Sequence, residues 1–332
     1  MAQQLPESPE RPGDQTYLTF PEWYLVFSPE EVATYMEDRP LSRFPYFGHI
    51  GQFWRSYRVV SSEISGRYPL NLGYHAMIMV IGTSTTVEYA LRGLYELTVG
   101  RLTELLTPGK GYQMTAEDQY AAKVARDYVD FINVDPWYKF DFFRSLKQLW
   151  TTVPATGPGM VRKWERRFVL SSEYLFKGVY AKVIGAGTAA SYTPAIHKTR
   201  VHVDQLPALP ASHETAIEIE RVVEQVSDKG ADGVEAYLPR YQAFTNASLQ
   251  LARAGANYLE IAGNTEDLIL SVLVEGAPTW KAPKPSEILF EQPILTSSDT
   301  RRFVLRCTVK ELAATLRALD QDGVTIEHVF DY

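Results

Sequence analysis

The sequence predicts an α+β protein with a flexible leader (1–16), an aromatic-rich α-helical domain (17–196) and a ferredoxin-like α/β sandwich domain (197–332). The chain has 332 residues, and since a domain usually has about 100–200 residues, two domains are favoured. Apolar residues recur at helical spacing through a proline-free stretch at about 72–106. Past Pro194 the pattern changes to short β-branched runs with hairpin turn residues, which places the domain boundary near residue 197.

The leader is predicted from its composition. It combines prolines and a glycine with Gln, Glu and Arg, and such a segment cannot bury enough apolar surface to offset the entropy lost on ordering. It also lacks the apolar region and small-residue cleavage site of a secretory signal. Nothing in the chain as given therefore directs export.

The helical domain is predicted to begin with aromatic residues between Tyr17 and Phe27, where Pro21 blocks a continuous helix. The segment Ser28-Pro29-Glu30-Glu31 has a serine for the N-cap, a proline for the first helical position and an acid for a capping box, so a helix starts there. Further helices are predicted after the aromatic segment 44–54, at 72–106 as one long or once-kinked helix, from Thr115, at 140–150 and at 160–190.

The C-terminal domain is predicted from strand and hairpin patterns. Strands are expected at 217–226, 234–238, 257–262, 268–274, 302–309 and 324–330, and helices at 240–254 and 310–319. Two βαβ-like units that contain antiparallel hairpins suggest the ferredoxin-like sandwich. There is no internal repeat at solenoid periods.

Composition and charge exclude several classes of protein. With 45% apolar and 22% charged residues the chain is neither disordered nor a polytopic membrane protein. The net charge of -7 argues against a dedicated nucleic-acid binder, so no nucleic-acid partner is expected. The single cysteine, Cys307, forbids an internal disulfide and excludes a Cys-based zinc cluster.

The usual catalytic and cofactor motifs are missing. There is no Gly-x-Ser-x-Gly elbow, no phosphate-binding loop and no His-Glu-x-x-His, and no cofactor is expected. Gly185-Ala186-Gly187 matches part of a dinucleotide-binding turn, but the residues before it are predicted helical, which favours a helix end rich in small residues. His197, His202 and His213 match no helical ligand spacing, so no metal site is expected. His49, in an aromatic segment, is predicted to pack or to hydrogen-bond.

The candidate catalytic residues lie on the predicted long helix. Glu88, Arg92 and Glu96 are spaced by four and can pair in succession along a solvated face. Alternatively Glu88 is a buried acid or base assisted by Arg92 or His75. Thirteen residues, about 20 Å of helix, separate His75 from Glu88, so each of the two needs partners from elsewhere.

A candidate membrane- or ligand-binding segment is Arg162, Lys163, Trp164, Arg166 and Arg167. Residues 160–182 carry six Lys and Arg against two Glu, a local net of +4 in an acidic chain. A basic helix that contains tryptophan is typical of an interfacial helix at anionic headgroups. The alternative is an amphipathic core helix with a solvated basic face.

Three segments resemble a family of uncharacterised bacterial proteins over nearly the whole chain: Leu18–Tyr24, Arg162–Arg167 and Glu260–Asn264. The resemblance implies no activity. It implies an N-terminal hydrophobic anchor directly before the counterpart of the leader, so that this chain is part of a membrane-tethered protein. Without such an anchor, cytoplasmic residence is expected.

The function expected from these observations is a non-catalytic, membrane-associated binding or scaffold protein that holds an apolar ligand or a protein partner. A membrane surface or a lipid-like molecule is the expected ligand. The alternative is an enzyme that acts on a small or lipid-like molecule with the Glu88, Arg92 and His75 set. A further alternative makes the C-terminal domain a small-molecule sensor or dimerisation module.

Overall fold

The computed structural model describes residues 15–107, 114–191, 198–207, 220–222, 233–276 and 279–331. It confirms a mixed α+β protein, with helices in the N-terminal region and antiparallel sheets in the C-terminal region. The predicted leader, except for Gln15 and Thr16, and the predicted boundary near residue 197 lie outside the described residues. The predicted domain limits therefore stay a prediction.

The chain divides into two compact units. The β-rich unit comprises the segments Met1–Pro21, Arg55–Ile78 and Ala195–Tyr332. The helical unit comprises Glu22–Trp54 and Met79–Pro194. Three helices, α1 (Gln15–Met36), α2 (Tyr46–Ile64) and α3 (Leu72–Tyr95), contribute residues to both units.

The prediction for the first helix was wrong, because α1 continues through both Pro21 and Ser28. A proline inside a helix removes one hydrogen bond and costs about 3 kcal/mol. Phe20, Tyr24 and Phe27 on the same helix are buried, and burying a large apolar side chain contributes about 1.5–3 kcal/mol. This burial outweighs the local cost of the proline.

Helices are found at the other predicted places, but α2 begins at Tyr46, inside the aromatic segment that was predicted to precede it. The predicted long helix consists of α3, a π-helical turn (Glu96–Gly100) and α4 (Arg101–Leu105). The remaining helices of this region are α5 (Ala116–Ile132), α6 (Phe142–Thr151) and α7 (Met160–Ser191). Thr115 and Asp118 form the capping box that starts α5. Gly185 and Gly187 lie within α7, so the helix-end interpretation of this glycine pair is confirmed.

The C-terminal region contains two four-stranded sheets of the same topology. The first sheet has the order β2-β3-β1-β4 and the second the order β6-β7-β5-β8. Their elements are β1 (Lys198–Val203), β2 (Glu220–Val222), β3 (Val234–Pro239), α8 (Gln242–Arg253), β4 (Tyr258–Ile261), β5 (Asp267–Glu275), β6 (Glu287–Pro293), β7 (Thr300–Thr308), α9 (Val309–Gln321) and β8 (Thr325–Val329). Of the predicted strand 217–226 the structure describes residues 220–222, and these form β2.

The ferredoxin-like arrangement is not confirmed. That arrangement alternates two helices with four strands, whereas within the described residues each sheet has the chain order β-β-β-α-β. All six strand pairs in the described part of the chain are antiparallel.

The two sheets and their helices repeat in detail. Both α8 and α9 are followed by a glycine with positive φ, 94° at Gly255 and 69° at Gly323, which is the usual left-handed helix end. The next residue donates back to the helix in both copies, Ala256 to Leu251 at 3.0 Å and Val324 to Leu319 at 2.9 Å. Equivalent residues of the two copies, such as Gly255 and Gly323, are about 68 positions apart. This distance is longer than the repeat length of solenoid proteins. Their shared core is made of the inward faces of both sheets with α8 and α9.

The start of α1 packs on the second sheet within the β-rich unit. The Thr16 hydroxyl donates to the carbonyl of Phe330 at 3.2 Å and accepts from the amide of Ile269 at 3.1 Å. The Phe20 ring meets the rings of Phe290 and Phe330 at centroid distances of 5.2 and 5.5 Å. These contacts bury the first turns of α1 against the sheet.

Candidate functional site

The basic residues predicted to face a membrane point into the helical unit. Arg162, Arg166 and Arg167 are each 2% exposed and Lys163 is 3% exposed. The fifth member of the segment, Trp164, is exposed. The four basic side chains are therefore buried. The sequence had suggested that they contact lipid headgroups or form a solvated face.

Each buried cation of this segment has a carboxylate partner from another helix or turn. Arg162 Nη2 lies 3.5 Å from Asp118 Oδ1, and Lys163 Nζ lies 2.8 Å from Glu117 Oε2. Arg166 Nη1 lies 2.6 Å from Glu96 Oε1, and Arg167 Nη2 lies 2.7 Å from Glu117 Oε1. Glu165, on α7 itself, pairs with both Arg162 and Arg166. The four buried cations are thus neutralised by Glu165 and by three acids that are 44–70 residues away in the chain.

A second group of ion pairs extends the network along α7. Arg92 Nη2 lies 3.3 Å from Glu173 Oε2, and Lys177 Nζ lies 2.9 Å from Glu88 Oε1 and 3.0 Å from Glu173 Oε1. Burial alone would raise the pKa of Glu173, but the charges of Arg92 and Lys177 outweigh it and hold that pKa at about 2. The Glu173 carboxylate is therefore ionised at any physiological pH.

The structure places two of the three predicted catalytic candidates, Glu88 and Arg92, in one ion-pair network. Glu88 is 45% exposed at its side chain and paired with Lys177. Arg92 pairs with Glu173 and lies over the Tyr46 ring at 5.9 Å. His75 Nδ1 lies 2.9 Å from the Tyr57 hydroxyl, near the start of α3. Lys177 and Glu173 connect Glu88 to Arg92, whereas His75 belongs to the β-rich unit and has its own partner there.

A small cavity lies beside this network. Its charged lining includes Arg92, Glu96, Asp118, Arg166 and Glu173. Its volume is about 10 Å³, enough for one water molecule. An apolar ligand does not fit there.

The outer side of α7 is apolar. We define the α7 apolar face as the exposed side chains Val161, Trp164, Phe168, Leu175, Phe176, Val179 and Val183. Phe168 is 68% and Phe176 71% exposed. Apart from the adjacent pair Leu175 and Phe176, successive members are three, four or seven residues apart, which places the side chains along one side of the helix. On α7, then, seven large apolar groups face outward, while the paired charges are buried together with Leu170, Tyr174 and Ala181.

A polar cluster that the motif search did not find joins α1, α2 and α3. Ser28 Oγ lies 2.8 Å from His49 Nδ1 and 2.8 Å from the Tyr89 hydroxyl. His49 Nε2 lies 3.5 Å from Glu31 Oε2, and the Tyr24 hydroxyl is 3.3 Å from His49 Nδ1. The prediction that His49 packs and hydrogen-bonds is confirmed. Ser28 is 1% exposed inside a helix, so this hydroxyl–imidazole–carboxylate series is closed to a substrate.

The structure describes one of the three histidines that were considered as zinc ligands. His197 and His213 lie outside the described residues, and His202 lies on β1. The parts of the chain that are described contain no group of three or more His, Cys, Asp or Glu side chains that could hold a metal ion.

The acidic partners in the network were missed by the sequence reasoning. The sequence predicted only that a helix starts at Thr115, whereas Glu117, in the first turn of this helix, is completely buried between two cations of α7. One signal was available, because the spacing of Glu173 and Lys177 by four residues matches a helical ion pair.

Comparisons with protein-family models, with curated proteins and with solved structures found no match for this chain. The family resemblance stays a prediction. Within the described ranges, no helix combines the length and apolar character needed to cross a bilayer.

Proposed function

We propose that this protein is a non-catalytic, membrane-associated binding protein whose helical unit contacts lipid through the α7 apolar face. The observation that carries the proposal is the inversion of α7. Arg166 and Arg167 are buried in ion pairs, while Trp164 and Phe168, one or two residues away, are exposed. Water favours the opposite distribution, with charges outside and large apolar groups inside.

The composition of the face suits a lipid interface. Fully burying a large apolar side chain contributes about 1.5–3 kcal/mol, and seven such side chains form the face. Tryptophan favours the boundary between headgroups and hydrocarbon because its ring is apolar and its N–H is polar. Charged side chains near a bilayer are best tolerated when they face inward and are paired, as those of α7 do.

The basic residues have a supporting role in this proposal. Arg167 lies under the face, with its guanidinium carbon 5.2 Å from the ring centroid of Trp150 and 5.7 Å from that of Trp164. Both indoles are about half exposed. The buried cation therefore orients two tryptophans at the surface, and it is the tryptophans that would meet the lipid.

The test is flotation of the full chain with phosphatidylcholine vesicles. We expect wild-type protein to float and a Phe168→Ser, Phe176→Ser double variant to lose at least tenfold in partitioning. Val134→Ser is the matched control because Val134 is 64% exposed but lies on another segment of the helical unit. Wild-type protein that stays with the lipid-free fraction, or a double variant that floats equally well, would rule out the proposal.

A further inference from the structure

The ion pairs between α3 and α7 show how these two helices lie side by side. Glu88 pairs with Lys177, and Glu96, in the π-helical turn that follows α3, pairs with Arg166. As the residue number rises along the first helix it falls along the second, so the two helices are antiparallel. We define the ion-pair seam as Glu88, Arg92, Glu96, Arg166, Glu173 and Lys177.

The part of α3 that belongs to the helical unit, residues 79–95, has an apolar face of its own. We define the α3 apolar face as the exposed side chains Met79, Val80, Val87, Leu91 and Leu94. The structure describes every residue of this stretch, and its other exposed positions are Thr83, Ser84 and Glu88. Glu88 is the one charged residue among these eight positions, and it belongs to the ion-pair seam.

Both apolar faces point to the same side of the helix pair. Viewed from the N-terminus of its own helix, each face lies about 140° counterclockwise from the ion-pair seam, since successive residues of a helix are about 100° apart. Because the two helices are antiparallel, equal rotations of this kind turn the faces in one direction. The α3 apolar face and the α7 apolar face therefore form one surface that is two helices wide.

A neighbouring helix of the same unit has the opposite surface. The exposed residues of α5 are Gln119, Lys123, Asp127 and Asp130, and all four are polar or charged. This is the usual distribution for a helix that faces water. The apolar surface is therefore a property of α3 and α7 and not of every helix in the unit.

The breadth and the charge pattern of the surface favour lipid as its occupant. On α3 the uncharged exposed positions cover an arc of about 140°, from Met79 to Ser84, whereas the seam against a single partner helix is narrower. Hydrocarbon contacts a broad arc as readily as a narrow one, but charged groups must then be paired or must reach the headgroups. Glu88 is paired, and Lys182, exposed near the end of the α7 apolar face, has the long side chain that reaches headgroups.

From the common direction of the two faces and their charge pattern we infer that α3 and α7 lie together in the plane of one lipid leaflet, with both apolar faces in contact with acyl chains. A helix pair that is apolar on one side only is suited to this in-plane position. The inference rests on the proposed lipid contact of α7 and extends it to a second helix.

The test uses the full chain with a nitrobenzoxadiazole fluorophore on a single engineered cysteine, in a Cys307→Ala background. Phosphatidylcholine vesicles with brominated acyl chains quench fluorophores that enter the hydrocarbon. We expect the probes at Leu91→Cys and Phe168→Cys to be quenched at least threefold more strongly than the matched control Gln119→Cys on α5. Circular dichroism checks that each labelled variant keeps its helices.

A second pair of probes tests the in-plane position. Val80 and Leu94 are exposed and lie about 21 Å apart along α3, at 1.5 Å per residue. Lipids brominated at different depths should quench probes at Val80→Cys and Leu94→Cys with the same depth profile. Profiles that place the two probes at clearly different depths would overturn the in-plane position.

The outcomes at Leu91 and Phe168 separate this inference from the proposed function. Quenching at Phe168 without quenching at Leu91 would overturn the inference and leave the lipid contact of α7 in place. Quenching at neither position would rule out both. A Leu91 probe that is shielded from water before vesicles are added, in protein that sediments as a dimer, would assign the α3 apolar face to a second copy and overturn the inference.

Discussion

Arg166 Nη1 lies 2.6 Å from Glu96 Oε1, and both side chains are 2% exposed. The two residues are 70 positions apart in the chain, and their contact joins α7 to the π-helical turn. Gly100, in the same turn, has no room for a Cβ beside the Glu96 carboxylate. This ion pair sets the position of the inverted helix and underlies the first two predictions.

Replacing Arg166 by Met should destabilise the helical unit by about 3–5 kcal/mol, since removing one partner leaves the buried Glu96 without its countercharge. Urea denaturation followed by tryptophan fluorescence measures the change. The comparison variant is Arg43→Leu, whose exposed pair with Glu104 at 3.0 Å should contribute less than about 1 kcal/mol. A loss in Arg166→Met no larger than that of Arg43→Leu would show that the buried pair does not hold α7.

Substitution of Gly100 by Ala should destabilise the protein even though alanine favours helices. A Cβ at this position collides with the Glu96 carboxylate and displaces the Arg166 pair. Gly51→Ala, in an open position on α2, should instead stabilise the protein by about 0.5–1 kcal/mol. Thermal melts of both variants test the opposite signs, and a shift in the same direction for both would contradict the prediction.

Vesicle binding should depend weakly on salt. The cations of residues 162–167 are buried and paired with acids of the same chain, so they contribute little to headgroup attraction. Between about 0.1 and 1 M salt the Debye length falls from about 10 to 3 Å, yet flotation should change by less than about threefold. A steep loss of binding with salt would mean that headgroup electrostatics, not the α7 apolar face, drives the contact.

The β-rich unit should lose stability in mild acid through His328. This residue is completely buried, and desolvation of the imidazolium lowers its pKa to about 3, against about 6.5 in the unfolded chain. Between these two pH values the unfolded chain binds the proton and the folded chain does not. The free energy of unfolding is therefore highest above pH 6.5 and decreases as the pH falls toward 3.

Urea denaturation at pH 6.5 and pH 5 checks the effect of His328, which amounts to as much as about 1.4 kcal/mol for each pH unit. The reference is His328→Gln, which lacks the titrating group and should show a flatter pH dependence over this range. Equal slopes for the variant and the wild type would show that His328 is not responsible.

Local patterns predicted the helices well where the deciding interactions are themselves local. The start of α5 at Thr115 was predicted, and the capping box that fixes it joins Thr115 to Asp118, only three positions away. The same kind of pattern failed at Ser28, which resembles an N-cap but hydrogen-bonds His49 and Tyr89 from the middle of α1. No local signal distinguishes these two outcomes, because the partners of Ser28 are 21 and 61 residues away.

The same difference between local and long-range interactions applies to the candidate site. The sequence by itself determined that a basic, tryptophan-bearing segment lies at the start of a long helix, that acids and bases of this region can pair, and that no common catalytic motif is present. Only the tertiary structure decided which side of α7 faces inward, since that depends on Glu96, Glu117 and Asp118 arriving from other parts of the chain. Burying a charge is tolerated only when a partner of opposite charge is buried with it. A sequence shows which residues are charged, but it does not show which of them come into contact in the fold.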